Sequence, residues 1–183
     1  MVKRSFSIIV ATVMALLLAF SPVLPENPVS GKQSRLAGND RYETAVEISK
    51  QGWPGGSETV IIATGTNFPD ALAGVPLSYF HNAPILLTRS DRLPEVTKNE
   101  IIRLKSKRAI ILGGMAAVSD KVKQEIAGLG IDVQRIEGQN RFETAAKIAY
   151  QLGDFNTAII VDGYNFPDAL AVAPYAAKEG IPI

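Results

Sequence analysis

The sequence predicts an α/β fold built from tandem repeats, each a mostly parallel sheet flanked by helices. One string occurs twice, as RLAGNDRYETA at residues 35–45 and, 100 residues later, as RIEGQNRFETA at residues 135–145. A second string follows each copy, with GTNFPDALA at residues 65–73 and GYNFPDALA at residues 163–171. Self-similarity of this kind indicates a duplicated structural unit. Between the strings, β-branched runs alternate with helical patterns, which is typical of crossover units on a parallel sheet.

The first copy contains a signal for each element in turn. Asp40 and Glu43 have the spacing of a capping box, with Asp in place of Ser or Thr, and predict the start of a helix. The β-branched run Thr59–Thr64 predicts a buried parallel strand. Pro69 suits the first position of the next helix, which we expect to extend to about Phe80. The remaining predicted elements are strand Pro84–Thr88, a helix from Pro94, strand Ala109–Leu112, helix Asp120–Ala127 and strand Asp132–Ile136.

The second copy repeats only part of this series. Asn140 and Glu143 repeat the capping spacing, and IPI at residues 181–183 matches API at residues 83–85. Residues 86–133 have no second version, so we expect the second repeat to be truncated. A half-repeat leaves a sheet short of strands and a hydrophobic face uncovered. We therefore expect a piece of a longer protein or a damaged reading frame, with completion by a partner chain as the alternative.

The N-terminal residues have the layout of a secretory signal peptide. Lys3 and Arg4 form a short positive region, and residues 6–20 are almost wholly apolar. That run is shorter than the roughly 20 apolar residues that a membrane-spanning helix usually needs. An uncleaved anchor is the alternative, and the cleavage point stays open. The predicted divisions are a signal peptide over residues 1–24, a linker over 25–34, repeat 1 over 35–134 and incomplete repeat 2 over 135–183.

The composition is that of a globular protein with almost no net charge. Hydrophobic residues make up 46% of the chain and charged residues 20%. Without Lys3 and Arg4 of the leader, 17 basic side chains remain against 18 acidic ones. A general nucleic-acid-binding protein would be strongly basic, so we expect no nucleic-acid partner. The absence of cysteine excludes disulfides and thiol chemistry.

The sequence offers little for catalysis. A zinc hydrolase needs at least three protein ligands, but the one histidine, His81, has no companion at metal-ligand spacing. A Ser-His-Asp system would also have to use His81, and no Gly-x-Ser-x-Gly turn exists. Gly113 and Gly114, between a strand and a helix, could hold a phosphate, but the sequence has neither the dinucleotide-binding nor the P-loop pattern. We expect turn glycines, no cofactor and no enzyme activity.

Polar residues that both copies retain form the candidate site. They are Arg35, Arg41, Asn67 and Asp70 in the first copy, matched by Arg135, Arg141, Asn165 and Asp168 in the second. One interpretation is a scaffold, with an ion pair between Arg41 and Asp70 and with Asn67 bonding the backbone of its own turn. The other is a binding site at the carboxyl ends of the strands, where arginine would bind phosphate or carboxylate groups. The sequence leaves both open.

These motifs resemble the cell wall binding repeat 2 family. The resemblance rests on the two duplicated strings, on APILLT at residues 83–88 and on IILGGMAAVS at residues 110–119, in the order that the family has them. It covers one full repeat and half of the next. In the family, three tandem repeats pack around a pseudo-threefold axis, and each is similar to a Toprim-like or flavodoxin-like domain.

The resemblance implies a secreted, non-catalytic module at the cell surface that anchors a protein to the bacterial cell wall. The implied partners are an anionic wall polymer, such as a teichoic acid or a polysaccharide, and sister repeats in a longer chain or an oligomer. The four shared arginines would contact the polymer, assisted by the helix N-termini near Asn67 and Asn165. Some members carry an N-acetylmuramoyl-L-alanine amidase domain, so a fragment of such a hydrolase without its catalytic domain is the alternative.

Overall fold

The first copy is built on a four-stranded parallel sheet. In a computed structural model, which describes residues 34–183, the strands are β1 (Thr59–Thr64), β2 (Ile85–Thr88), β3 (Arg108–Leu112) and β4 (Asp132–Ile136). Their order across the sheet is β2-β1-β3-β4. Ile61 of β1 pairs with Ile85 on one side and with Ile110 on the other. The predicted α/β class with a mostly parallel sheet is confirmed, whereas the Toprim-like label stays a prediction.

Helices cover both faces of this sheet. Val60 and Ile62 of β1 face one apolar cluster, and Ile61 faces the other. All three side chains are fully buried, as expected for a parallel strand between two helix layers. The helices are α1 (Arg41–Gly52), α2 (Pro69–Ala73), α3 (Val75–Phe80), α4 (Glu95–Leu104), α5 (Asp120–Ala127), α6 (Arg141–Ala149) and α7 (Pro167–Glu179), with a 3₁₀ turn at Tyr150–Leu152.

The two copies begin their first helices in the same way. Oδ1 of Asp40 accepts a hydrogen bond from the N–H of Glu43 at 2.9 Å, and Oδ1 of Asn140 accepts one from the N–H of Glu143 at 3.0 Å. The return bond differs from a standard capping box. Glu43 Oε2 accepts from the N–H of Asn39, one residue before the cap, at 2.7 Å. The predicted helix starts are therefore confirmed, with the box closed one residue earlier.

The helix predicted from Pro69 to Phe80 is divided at Gly74 into α2 and α3. A side chain at Gly74 would collide with Leu112 of β3, so glycine allows this close approach of helix and sheet. The same residue is the least favourable for helix continuity apart from proline. In the second copy Val172 takes this position, and α7 is continuous.

The second copy lacks a strand where the first has β1. Ile159 donates its N–H to the carbonyl of Pro182 at 2.9 Å, which matches the bond from Ile61 to Pro84 in the first copy. No strand of residues 34–183 pairs with residues 157–162 on the side where β3 pairs with β1. Ile160 is consequently 90% exposed, whereas its equivalent Ile62 is fully buried.

Residues Leu36–Ile183 form one compact unit, in which the two copies are packed together. Ile148 of α6 and Leu77 of α3 belong to one apolar cluster, and both are almost fully buried. The rings of Phe68 and Phe166, which precede α2 and α7, meet edge to face at 5.9 Å. None of the described helices is long and apolar enough to cross a membrane. The predicted signal peptide over 1–24, and the linker over 25–34 except Ser34, lie outside the described residues.

Candidate functional site

Arg41 and Arg141 connect the start of a helix to the turn after a strand. Arg41 donates from Nη1 to the carbonyl oxygen of Gly65, and Arg141 donates from Nη1 to that of Gly163 at 2.7 Å. One N–H group of each guanidinium therefore has a structural role in both copies. Arg41 is otherwise exposed and Arg141 is half-buried, so each retains N–H donors that could contact a ligand.

Asn67 and Asn165 stabilise the turns that precede α2 and α7. Oδ1 of Asn67 accepts from the N–H of Phe68 at 3.0 Å, and Oδ1 of Asn165 accepts from the N–H of Phe166 at 3.1 Å. The expected bond to the backbone of its own turn is therefore present. Both side chains are exposed, so the amide NH₂ groups remain accessible to solvent.

Asp70 lies at the junction between the two copies. A side chain at Gly113, whose φ is +97°, would collide with Oδ2 of Asp70, so the carboxylate rests directly against this turn. Burial raises the pKa of Asp70, and the positive charge of Arg141 lowers it by a smaller amount. Among the described ion pairs none joins Arg41 to Asp70, so that part of the scaffold interpretation is wrong. The cation close to Asp70 belongs to the other copy.

The raised pKa of Asp70 gives stability a defined pH dependence. Because burial disfavours ionised Asp70, ionisation of this carboxyl lowers the stability of the folded state. This loss of stability is absent below the ordinary pKa of 3.8 and is fully present above the raised pKa of the folded state. We expect the gain in unfolding free energy from Asp70→Asn to increase as pH rises through this window. Urea unfolding of both proteins from pH 3 to pH 7 measures it. Asp168→Asn, at the exposed matched position, is the control, and a gain from Asp70→Asn that stays constant or falls with pH would contradict the assignment.

Arg135 begins the second copy of the string but lies in β4, within the sheet of the first copy, unlike its counterpart Arg35. Only 7% of the Arg135 side chain is exposed, and it pairs with Asp120 of α5 at 3.2 Å. Its Nη1 also donates to the carbonyl of Gly113 at 2.8 Å. These bonds hold the turn after β3 and the start of α5, which is a scaffold role. Arg35 is exposed.

The predicted site residues are thus only partly brought together. Arg135 and Asp70 meet the turn at Gly113, at the carboxyl ends of β1 and β3, with Arg141 nearby. Arg41 contacts the turn after β1 through its bond to Gly65, and Asn67 belongs to the same turn. Asn165 and Asp168 occupy the equivalent turn of the second copy, where both are exposed. As binding residues, all eight stay predictions.

Both copies of the duplicated unit match the same known protein family. The family described as Cell wall binding domain 2 (CWB2) matches residues 35–123 and 135–183. The chain belongs to the CWB2 family. This confirms the resemblance given by the duplicated strings, and the two copies are CWB2 repeats.

Two relatives from Bacillus subtilis are similar over most of this chain. The N-acetylmuramoyl-L-alanine amidase LytC is 42% identical over 170 residues, which are 93% of this chain and 33% of that protein. The amidase enhancer is 41% identical over 149 residues, which are 81% of this chain and 21% of that protein. The CWB2 chain therefore spans a third or less of the length of these relatives.

Two solved structures from Clostridium difficile have the same fold. Cwp6 has a TM-score of 0.76 at 35% identity, over 86% of this chain and 27% of that structure. Cwp8 has a TM-score of 0.77 at 39% identity, over 81% of this chain and 26% of that structure.

Sequence reasoning missed that an arginine guanidinium stacks on a tyrosine ring in each repeat. In the first repeat, the guanidinium of Arg89 lies 5.0 Å from the ring centroid of Tyr42, which is buried. In the second, Arg141 lies 5.0 Å from the ring centroid of Tyr164, which is exposed. The retained aromatic at Tyr42 and Phe142 in the duplicated string was the available signal.

An apolar cleft of about 360 Å³ lies between α2 and the second repeat. Its wall includes Phe142, Phe155 and Ile160, all of them exposed apolar side chains. In the first repeat, β3 pairs along the edge of β1 that corresponds to the open edge beside Ile160. The cleft therefore lies beside an edge that no strand of residues 34–183 covers.

Proposed function

We propose that this chain is a non-catalytic module that holds a protein to the bacterial cell wall by binding an anionic wall polymer. The observation that supports this most strongly is the CWB2 match over both copies of the unit. The two solved relatives extend the likeness to three dimensions across more than four fifths of the chain. The proposal places the protein outside the cell, at the wall, which fits the leader-like N-terminal sequence.

The polymer contacts in this proposal come from the exposed residues among the eight polar residues that the two copies share. Arg41 is exposed and keeps further guanidinium N–H groups beyond its bond to Gly65, and Asn67 and Arg35 are also exposed. A guanidinium matches phosphate and carboxylate groups through two parallel hydrogen bonds. Arg135 is assigned to the scaffold because its side chain is buried and already paired. Teichoic acids and acidic polysaccharides both fit this chemistry.

The alternative, a hydrolase fragment without its catalytic domain, receives less support. The match to the amidase spans a third of that protein, and here it falls on the residues that match CWB2. Within residues 34–183 no three His, Asp or Glu side chains converge as metal ligands. Release of peptide or amino sugar from purified peptidoglycan by this chain would favour the alternative.

Retention on purified walls tests the proposal. We expect binding at 0.15 M salt that weakens several-fold at 1 M salt, because the screening length falls from about 8 Å to about 3 Å. Walls stripped of their anionic polymer should retain little protein. Equal retention on intact and stripped walls would contradict the proposal.

Arg41→Ala tests the predicted contact. Loss of one charge-assisted bond to an anionic group should lower affinity about tenfold. Lys107→Ala is a matched control, because Lys107 is 80% exposed and precedes β3, at the opposite ends of the strands. A thermal melt of each variant separates the two interpretations. Weaker binding with an unchanged Tm supports a site, whereas loss of both supports a scaffold role through the bond to Gly65.

A further inference from the structure

Tyr164 is an exposed aromatic side chain held in a fixed position before α7. Its side chain is 73% exposed. The guanidinium of Arg141 lies 5.0 Å from the ring centroid, and the ring of Phe142 meets it edge to face at 5.6 Å. The backbone N–H of Tyr164 donates to Oδ1 of Asp162 at 2.8 Å. The ring is therefore positioned by several contacts while most of its surface faces solvent.

The first repeat shows that the fold does not need an aromatic residue here. Thr66 takes the position of Tyr164, and its hydroxyl lies 2.9 Å from that of Thr64. The neighbouring aromatic of the first repeat, Tyr42, is only 5% exposed, with Arg89 stacked on it. At this turn, an exposed and positioned ring is thus present in the second repeat and absent from the first.

The groups around Tyr164 favour an uncharged, hydroxyl-rich ligand. Asp162, Asn165 and Asp168 are all exposed and lie within four residues of it in the chain. Their carboxylate and amide oxygens accept hydrogen bonds from hydroxyl groups, and the amide of Asn165 also donates. Among these groups the carboxylates of Asp162 and Asp168 outnumber the one guanidinium, that of Arg141, so their combined charge is negative and disfavours a phosphate group.

We propose that Tyr164 is the platform of a sugar subsite that takes one uncharged pyranose ring of the wall polymer. The apolar face of the sugar packs on the tyrosine ring, and its hydroxyl groups bond to Asp162 and Asn165. This inference rests on the proposed wall binding and adds to it. Arginine side chains bind the charged groups of the polymer, and the second repeat binds an uncharged unit.

Tyr164→Thr tests the subsite, because it installs the residue that the first repeat already has. We expect about tenfold weaker retention on purified walls, the usual effect of one good aromatic contact. The loss should persist at 1 M salt, since packing on a ring is not screened. Tyr150→Thr is the control and should change retention less than twofold. Tyr150 is 74% exposed and lies nine residues after Arg141, about 13 Å along the axis of α6.

Two outcomes separate this inference from the proposed function. If the unaltered protein is not retained on walls, the proposed function itself fails. If it is retained and Tyr164→Thr is retained equally, the wall binding stands and the subsite is wrong.

Tyr164→Trp gives a direct readout of the ligand class. It keeps an aromatic surface, so retention should match the unaltered protein, and the new indole reports on binding by its emission. We expect a blue shift with chitotriose, a neutral N-acetylglucosamine trimer, and none with glycerol phosphate. A shift with glycerol phosphate alone, or with neither, would overturn the proposed sugar class. Retention of Tyr164→Trp as weak as that of Tyr164→Thr would overturn the role of the ring.

Discussion

Replacing Glu100 with alanine is expected to lower the free energy of unfolding by about 3 kcal/mol. Glu100 is 2% exposed, and its carboxylate accepts hydrogen bonds from Ser49 of α1 and from Arg103 of α4. Arg103 also donates to the carbonyl of Trp53, where α1 ends. The hydrogen bond to the Glu100 carboxylate raises the pKa of Arg103 above its ordinary value. Removing this carboxylate leaves the partly buried guanidinium of Arg103 and the buried hydroxyl of Ser49 without their partner. Breaking a buried pair by removing one partner is strongly destabilising.

Glu95→Ala is the matched control for this expectation. Glu95 lies on the same helix and also pairs three residues on, with Lys98 at 3.9 Å, but 72% of its side chain is exposed. Exposed pairs contribute about 0 to 1 kcal/mol, so the two glutamates should differ by about 2 kcal/mol or more. Urea unfolding of both variants measures the difference. Equal effects would mean that the contacts of Glu100 do not hold α1 to α4.

Ile62→Ala is expected to destabilise the protein by about 2 to 4 kcal/mol, whereas Ile160→Ala should change stability by less than about 0.5 kcal/mol. The two residues occupy the same position in the two repeats. Ile62 is fully buried between β2 and β3, and Ile160 is 90% exposed. The cost of shortening a buried side chain combines lost burial with the cavity left behind, and neither applies to an exposed one.

Comparable costs at Ile62 and Ile160 would contradict this description. They would show that residues 157–162 are covered in solution by something that the described chain does not supply. Analytical ultracentrifugation of the unaltered protein, run beside the unfolding series, would then show whether a second copy supplies the cover.

Much of the fold could be predicted because local signals and the hydrophobic pattern agree. Asp40 and Asn140 mark helix starts through bonds formed within three residues. The run Thr59–Thr64 is apolar on both faces, and all six residues are buried in β1. Such bonds and patterns depend on near neighbours in the chain, which the sequence shows directly. The division at Gly74 was not foreseen, and the close approach of Gly74 to Leu112 joins residues that are distant in the sequence.

The candidate site was harder to predict because its contacts cross between repeats. Asp70 has the same local sequence as Asp168, yet one is half-buried against Gly113 and the other is exposed. Arg135 matches Arg35 in sequence, but only Arg135 lies in a sheet, where Asp120 and Gly113 take up its donors. Residues with the same local sequence therefore have different neighbours in the two repeats.

The sequence by itself determined the duplicated α/β unit, its helix starts and its family, since capping, turn chemistry and apolar periodicity act over a few residues. Only the tertiary structure decided which copy of each shared residue is scaffold and which is accessible. Burial and charge depend on what packs against a side chain, and the two repeats have different neighbours. The same pattern of residues is therefore buried beside β3 in one repeat and exposed to solvent in the other.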